Sequence, residues 1–438
     1  MRRILAVVIS VCALTGAVRL VAPATGGADG APPGVRRQLA FLRAALDDGA
    51  AEDAQRLYPE GFFFLHALYG LAWVELGMRA PAGDLAGDRG TALREARWAL
   101  RHLDSPQGRA PFDAGLSPPY GIFYQGWSTW LRGGVLSLQP AGHRDPGEED
   151  RFARDCAAIA AAFDASGSPY LTAYPGQAWP VDSTVAVASL RLHDTLLPER
   201  FGATVRRWVA GVRQRLDPRT GLLPHRADPG TGEPLEVARG TSQSVIHRFL
   251  GDVDPGFARE QYLRFRDRYV VSPLGLGPAV REYPDGMDGP ADVDSGPLPL
   301  GVSLSATVVT IGAAQVNHDD PLAGALAGYG ELAGVPVGTP WTKRYAFGLL
   351  PIGDAFLAWS KTARPWVAPA PAAPPAQLGW WWRVPLLSLL AVLGAAPWLP
   401  ALARRRHRRP GRPGIPAGAV IRPMSPAAPV PQKNDGHD

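Results

Sequence analysis

Two kinds of apolar pattern alternate along the chain. In the first, apolar residues return every three or four positions beside a charged face, as in a helix that buries one side. It covers 36–48, 91–103, 148–164, 199–216, 255–270 and 320–333. In the second, apolar, aromatic and small residues occupy nearly every face, as in a helix enclosed by others. It covers 61–78, 121–137, 182–194, 240–250, 301–316 and 344–361, recurring about every 50 to 65 residues without sequence identity between copies. Paired in order, the segments predict an all-α fold, an (α/α)6 toroid of six helical hairpins with the apolar helices inside. A plain α-solenoid is the alternative, and the stop after the sixth pair favours closure. Connections from inner to outer helices are short, as at 195–198 and 251–254. Those from outer to inner helices are long, at 104–120, 165–181, 217–239 and 271–300. Such loops are usually functional, and in a toroid they open on one face, where the inner helices begin. The 217–239 loop is expected to hold a hairpin, with LLPHRA and PLEVA flanking DPGTGE.

The two ends follow membrane rules. MRRILAVVISVCALTGAV has a basic start and an apolar stretch at 4–18, and Ala22-Pro23-Ala24 is a small-residue cleavage candidate. Residues 1–29 therefore read as a signal peptide or N-terminal anchor. Residues 385–403 carry no charge over 19 positions, enough for about 28 Å of helix. Trp380, Trp381 and Trp382 on one side and RRRHRR at 404–409 on the other predict a transmembrane helix at 380–403. That places 404–438, a basic, Pro-rich, disordered tail, in the cytoplasm and a domain at 30–363 outside the cell membrane. The Pro/Ala-rich 364–379 reads as a stiff linker. Between residues 30 and 379 there are 33 Lys and Arg against 37 Asp and Glu. The formal +5 of the chain therefore comes from its ends, and no basic face is available for nucleic acid. Cys156 is the one cysteine beyond the N-terminal segment that holds Cys12, so a large core rather than a disulfide must hold the domain.

Candidate chemistry gathers at the expected mouth. Asp182, in AWPVDSTVAVASLRLHD, heads an apolar helix. It reads either as a helix cap or as a cavity carboxylate that the helix N-terminus keeps ionised, suited to a base. The segment REYPDGMDGPADVDSGP adds Glu282, Asp285, Asp288, Asp292 and Asp294. Crowded carboxylates raise one another's pKa and can supply a general acid, here Glu282 for its longer reach, or Asp294. Tyr124, Trp127, Tyr174 and Trp179 are candidate walls for a sugar ring or an apolar ligand, with His225 and Asp292 as polar contacts. A calcium loop at DGMDGPADVDSG would lack EF-hand spacing. The chain has no HExxH, GxSxG, P-loop or GxGxxG pattern, and the reading assigns neither metal nor cofactor.

FYQGWSTWLRGG, AWPVDSTVAVASLRLHD, LDPRTGLLPHRADPGTGEP, GDVDPGFAREQYLRF and VREYPDG…ADVDSGP follow one another with the order and spacing of the linalool dehydratase-isomerase family, which the chain resembles from about residue 118 to 316. The resemblance implies an (α/α)6 barrel and cofactor-free interconversion of linalool with myrcene and geraniol, through acid-base groups that include two cysteines and a histidine. Ala173 and Asp182 stand where the cysteines would fall, Trp127 stands at the histidine, and the Asp294 region keeps the acidic character. Three functions follow as expectations. The first is a glycoside hydrolase or other glycan-active enzyme, with Asp182 as base or nucleophile and Glu282 or Asp294 as acid. The second is a dehydratase or isomerase of terpenoid or other allylic alcohols, and the third a non-catalytic envelope protein that binds a ligand. An apolar dead-end pocket favours the alcohol and an open polar groove the glycan.

Overall fold

The computed structural model describes residues 1–26, 30–369 and 371–399. The basic segment at 404–409 and the cytoplasmic tail expected around it lie outside the described residues.

The chain is mostly helical. Its helices are α1 (Arg2–Val21), α2 (Val35–Asp47), α3 (Ala50–Leu57), α4 (Gly61–Gly77), α5 (Asp88–Leu103), α6 (Pro106–Arg109), α7 (Gly121–Ser137) and α8 (Pro146–Ala165). They continue with α9 (Pro180–Leu196), α10 (Gly202–Arg213), α11 (Gly240–Val253), α12 (Pro255–Tyr269), α13 (Leu304–Val316), α14 (Asp320–Ala333), α15 (Pro351–Thr362) and α16 (Arg383–Ala395). Two short antiparallel pairs, β1 (Val270–Val271) with β2 (Ala279–Val280) and β3 (Val337–Gly338) with β4 (Lys343–Arg344), tie down loops.

The two apolar patterns separate in space. Helix α4, GFFFLHALYGLAWVELG, is buried on every face, as are most of α7, α9 and α11. Helix α5 buries only Ala92, Ala96, Ala99, Leu103 and their neighbours along one stripe. The enclosed helices form a circuit: α4 packs on α7, α7 on α9, α9 on α11, α11 on α13, α13 on α15, and α15 returns to α4. The α7–α9 contact is close at Gly126, where a Cβ would stand 3.1 Å from the Asp182 carbonyl oxygen. The striped helices begin with caps that fit their sequences. Asp145 and Asp254 accept from the Glu148 and Phe257 amides at 3.0 and 2.9 Å, each followed by a proline at the first helical position.

Three expectations change. The sixth inner helix starts at Pro351 rather than 344, because the β3–β4 pair and the Ala346–Gly348 turn take up the residues before it. Segment 364–379 is not a free stalk. Trp366 stacks on Trp130 with ring centres 4.4 Å apart, the Asp252 carboxylate takes the Trp366 and Val367 amides, and Asp319 takes that of Ala376. Trp366, Val367, Ala373 and Leu378 pack against the domain, while Pro371, Ala372, Pro374 and Pro375 between them stay exposed. Finally, among the described residues the helix long and apolar enough to cross a membrane is α1, a property it shares with signal sequences; α16 runs for 13 residues into a 3-10 turn at Ala396–Trp398, and residues 400–403 of the span expected at 380–403 lie outside the described residues.

Helix α1 does not stand apart from the fold. It lies antiparallel to α16: the Ser10 hydroxyl donates to the Gly394 carbonyl at 2.8 Å and accepts from the Trp398 indole at 2.9 Å. At its other end Leu20 is buried and Arg19 donates to the Pro336 carbonyl at 2.7 Å.

Candidate active site

The long loops and the heads of α4, α9 and α13 bring three carboxylates into mutual electrostatic reach: Glu60, Asp182 and Asp294. These helices alternate around the circuit, so the three acids approach from three sides.

Asp182 does not cap α9. The capping position is Trp179, Pro180 opens the helix, and Asp182 sits in its first turn, 4% exposed. Burial pushes its carboxyl well above the usual range, and the charges of Glu60 and Asp294 push it further. The Trp127 indole opposes the shift, though it approaches without the geometry of a full hydrogen bond. The helix N-terminus was expected to favour the ionised form of Asp182; desolvation and like charge outweigh it and raise the pKa.

Asp294 lies nearer to water. Its residue surface is exposed, yet neighbouring protein desolvates the carboxyl and the charges of Asp292 and Glu60 repel its own. Together they raise it to about 6, against the pull of Arg239. Glu60 precedes α4 and accepts the Tyr174 hydroxyl; Tyr58 lies within reach of both Glu60 and Asp294. Burial and the neighbouring carboxylates hold both tyrosines protonated, Tyr174 most strongly. Neither Glu60 nor Tyr58 was singled out from the sequence. The signal was present in YPEGFFF: a carboxylate at the head of an apolar helix, the feature that marked Asp182.

The expected acid Glu282 holds the frame. Fully buried, it accepts from Arg239 Nε at 2.7 Å and from the Thr241 hydroxyl and amide at 2.7 and 3.2 Å, fixing the start of α11. Burial raises its pKa against these donors. Arg239 Nη1 also pairs with Asp292 at 2.5 Å. Burial pushes Asp292 up, but the Ser295 amide and Arg239 outweigh it and keep its pKa low. Asp288 pairs with Arg281 at 2.9 Å, so guanidinium groups already satisfy carboxylates of the loop considered for calcium. Arg239→Ala would strand Glu282 and Asp292 together. We expect it to cost about 3 kcal/mol or more in urea unfolding, and to move the Asp294 titration to higher pH by removing its cationic neighbour.

The aromatic candidates divide. Tyr174 and Trp179 meet edge to face at the cluster, 5.6 Å between ring centres. Trp127 lies beneath it, packed between Phe64, Phe249 and Trp359. Tyr124 points outward, donating to Asp104 at 3.1 Å and accepting from Arg109 at 3.0 Å. His225 pairs through Nδ1 with the Ser242 hydroxyl at 2.6 Å, and burial lowers its pKa to about 3, so it stays neutral. Two surface clefts of about 320 and 230 Å³ flank α10 on the outside, lined by Arg206 and Arg207 among others, and neither reaches the carboxylates.

No family model matches this chain, and no curated protein matches it. The site itself then supplies the chemistry: a buried acid of raised pKa beside Trp127, a second, more exposed carboxylate raised to about 6, and a third that accepts the Tyr174 hydroxyl.

Proposed function

We propose that the closed helical circuit is an (α/α)6 toroid of the linalool dehydratase-isomerase kind, and that it is an enzyme cleaving the C–O bond of an apolar alcohol. The observation that carries this reading is the pairing of a buried Asp182, which meets Trp127 and the rings of Phe64 and Trp359 packed on it, with a more exposed Asp294 within electrostatic reach. An enclosed aromatic floor suits an apolar substrate better than the open polar groove a glycan needs. In this scheme Asp182 gives its proton to the hydroxyl oxygen, the C–O bond breaks and water leaves. Asp294 takes a proton from the adjacent carbon, whose C–H electrons become the second bond of an alkene. The proton then passes back from Asp294 to Asp182, so alcohol yields alkene and water with no net change in the enzyme. Glu60 and Tyr174 orient the hydroxyl, and Arg239 and Glu282 position the loop that carries Asp294.

The domain acts outside the cytoplasm, held to the membrane by α1 and α16 together rather than by one C-terminal span. The ring–loop contacts of Leu20 and Arg19 favour a retained α1 over a cleaved signal.

The test is turnover of a panel of allylic alcohols and oligosaccharides by the full chain across pH. Alkene formation should fall as pH drops through about 6, where Asp294 gains a proton and ceases to act as a base. Asp294→Asn should remove that limb and lower kcat by about a hundredfold or more. Sugar release lost in Asp182→Asn would instead establish the glycosidase.

A further inference from the structure

The face that carries the carboxylates also carries the membrane helices. Helix α1 runs antiparallel to the last turns of α14: a Cβ on Gly328 would meet the Leu20 carbonyl at 3.3 Å, and one on Gly16 would meet Leu332 at 3.2 Å. Going back along α1 from Leu20 therefore continues the direction of α14, past its C-terminal end. Outer helices end where the long loops begin, so this is the mouth side. Helix α16 leaves from the same level, since Trp382 packs on Gly277, beyond the end of α12, and from there α16 follows α1 outward. Segment 364–379 is tied at the opposite end of the ring by Asp252 and Asp319, and Leu378 then packs with Leu20 and Trp382 at this level.

Exposed apolar side chains cluster beside the hairpin. Val293, Leu300, Leu304 and Leu350 stand in the loops or first turns of α13 and α15, Leu57 ends α3 just before α4, the next helix in the circuit, and Leu274 follows α12. All are more than half exposed. Leu274 and Leu300 hold this position with φ of 54°, a conformation unfavourable for a side chain with a Cβ. Among the described residues of the loops before α7 and α9, on the far side of the ring, no large apolar side chain is exposed. The exposed apolar face of α1 itself extends from Ile4 to Val21, overlapping in height with the end of α14. A helix of 20 residues spans about 30 Å, one bilayer core. Burying all of α1's apolar face thus brings the end of α14, and the apolar rim beside it, to the lipid surface.

We propose that the mouth of the ring rests on the bilayer along the α13–α15–α4 arc, and that the carboxylate site takes an amphiphilic alcohol directly from the membrane, its apolar tail remaining in lipid while its hydroxyl-bearing head enters. The choice of substrate rests on the reaction proposed above; the docking of the face does not.

The test uses the full chain with Cys12→Ser, in nanodiscs of phosphatidylethanolamine and phosphatidylglycerol, carrying a nitroxide at Leu300→Cys or, as control, at Glu199→Cys on a turn at the opposite end. We expect oxygen to relax the label at 300 more than an aqueous nickel chelate does, and the order to reverse at 199. Equal nickel access at both positions overturns the docking. Spin–spin broadening at 300 without oxygen enhancement also overturns it, in favour of a second copy of the chain. With Leu300→Asp and Leu304→Asp together, turnover of a bilayer-dissolved long-chain alcohol should fall about tenfold while that of a short water-soluble alcohol is unchanged. An equal effect on both substrates would overturn membrane delivery. If neither alcohol is turned over by the wild-type chain, the proposed reaction fails and the label data still decide the docking.

Discussion

Asp182→Asn is expected to abolish turnover, lowering kcat by about a thousandfold or more, and to melt higher than the wild type at neutral pH. The first effect follows from the proposed role of Asp182 as the acid; the second separates that loss from unfolding. Asp182 has a folded pKa well above its unfolded value, because burial and the charges of Glu60 and Asp294 disfavour the anion. Between those two pKa values the folded chain binds more protons than the unfolded one, so stability falls as pH rises through that interval. Asparagine carries no titrating proton and escapes the penalty. The gain over wild type should therefore be absent at pH 3 and present at pH 7, as thermal melts at the two pH values would show. A variant that is inactive because it is misfolded would melt lower at both.

Arg248→Ala is expected to cost about 3–5 kcal/mol of stability. Arg248 pairs with Glu75 at 2.5 Å, donates to the Trp359 carbonyl at 3.0 Å and lies 3.9 Å over the Trp359 ring. It thereby joins α11 to α4 and α15 at the end of the ring away from the mouth. Burial pushes Glu75 up and Arg248 down in pKa, so the pair is held against its own desolvation. Removing Arg248 takes from buried Glu75 its ion-pair partner and leaves it the Thr362 hydroxyl and the field of Arg79. Replacing both, with Glu75→Leu and Arg248→Met, should recover most of the loss, because the desolvation of both charges disappears together. Urea unfolding of the two single variants and the double variant would measure this. Equal destabilisation by single and double replacements would mean that packing, not charge, sets the cost.

Helix type and order were legible because the two apolar patterns report two depths of burial. The fit is close where both ends carry caps or breakers: 121–137 coincides with α7, and 255–270 differs from α12 by one residue. It failed where tertiary contacts decide. AAEDAQRL, left outside both patterns, forms α3, with Ala51 and Ala54 buried on its inner side. Residues 344–350 share the composition of an inner helix but are held by Asp354, which accepts the Tyr345 amide at 3.2 Å. The hairpin read at 217–239 is present as the Asp228–Glu233 and Leu235–Arg226 backbone bonds around the expected turn, without regular strands. Of the site, the sequence marked Asp182, Asp294 and Tyr174 but not their partner Glu60. It read Asp182 as a carboxylate kept ionised, whereas burial and like charge raise its pKa; the raised pKa read for Glu282 is present, but comes from burial beside Arg239 and Thr241 rather than from crowded acids. Whether a carboxylate meets an arginine or another acid depends on which helices become neighbours, and no local pattern records that.

The most direct test of the account is the protonation state of Asp182. Infrared spectra of the full chain at pH 7, with isotope-labelled aspartate and with Asp182→Asn as the subtraction partner, would show it. The account predicts a protonated-carboxyl C=O band in the wild type that is missing from the variant. A difference spectrum showing only carboxylate stretches at Asp182 would contradict it, and with it the assignment of Asp182 as the acid.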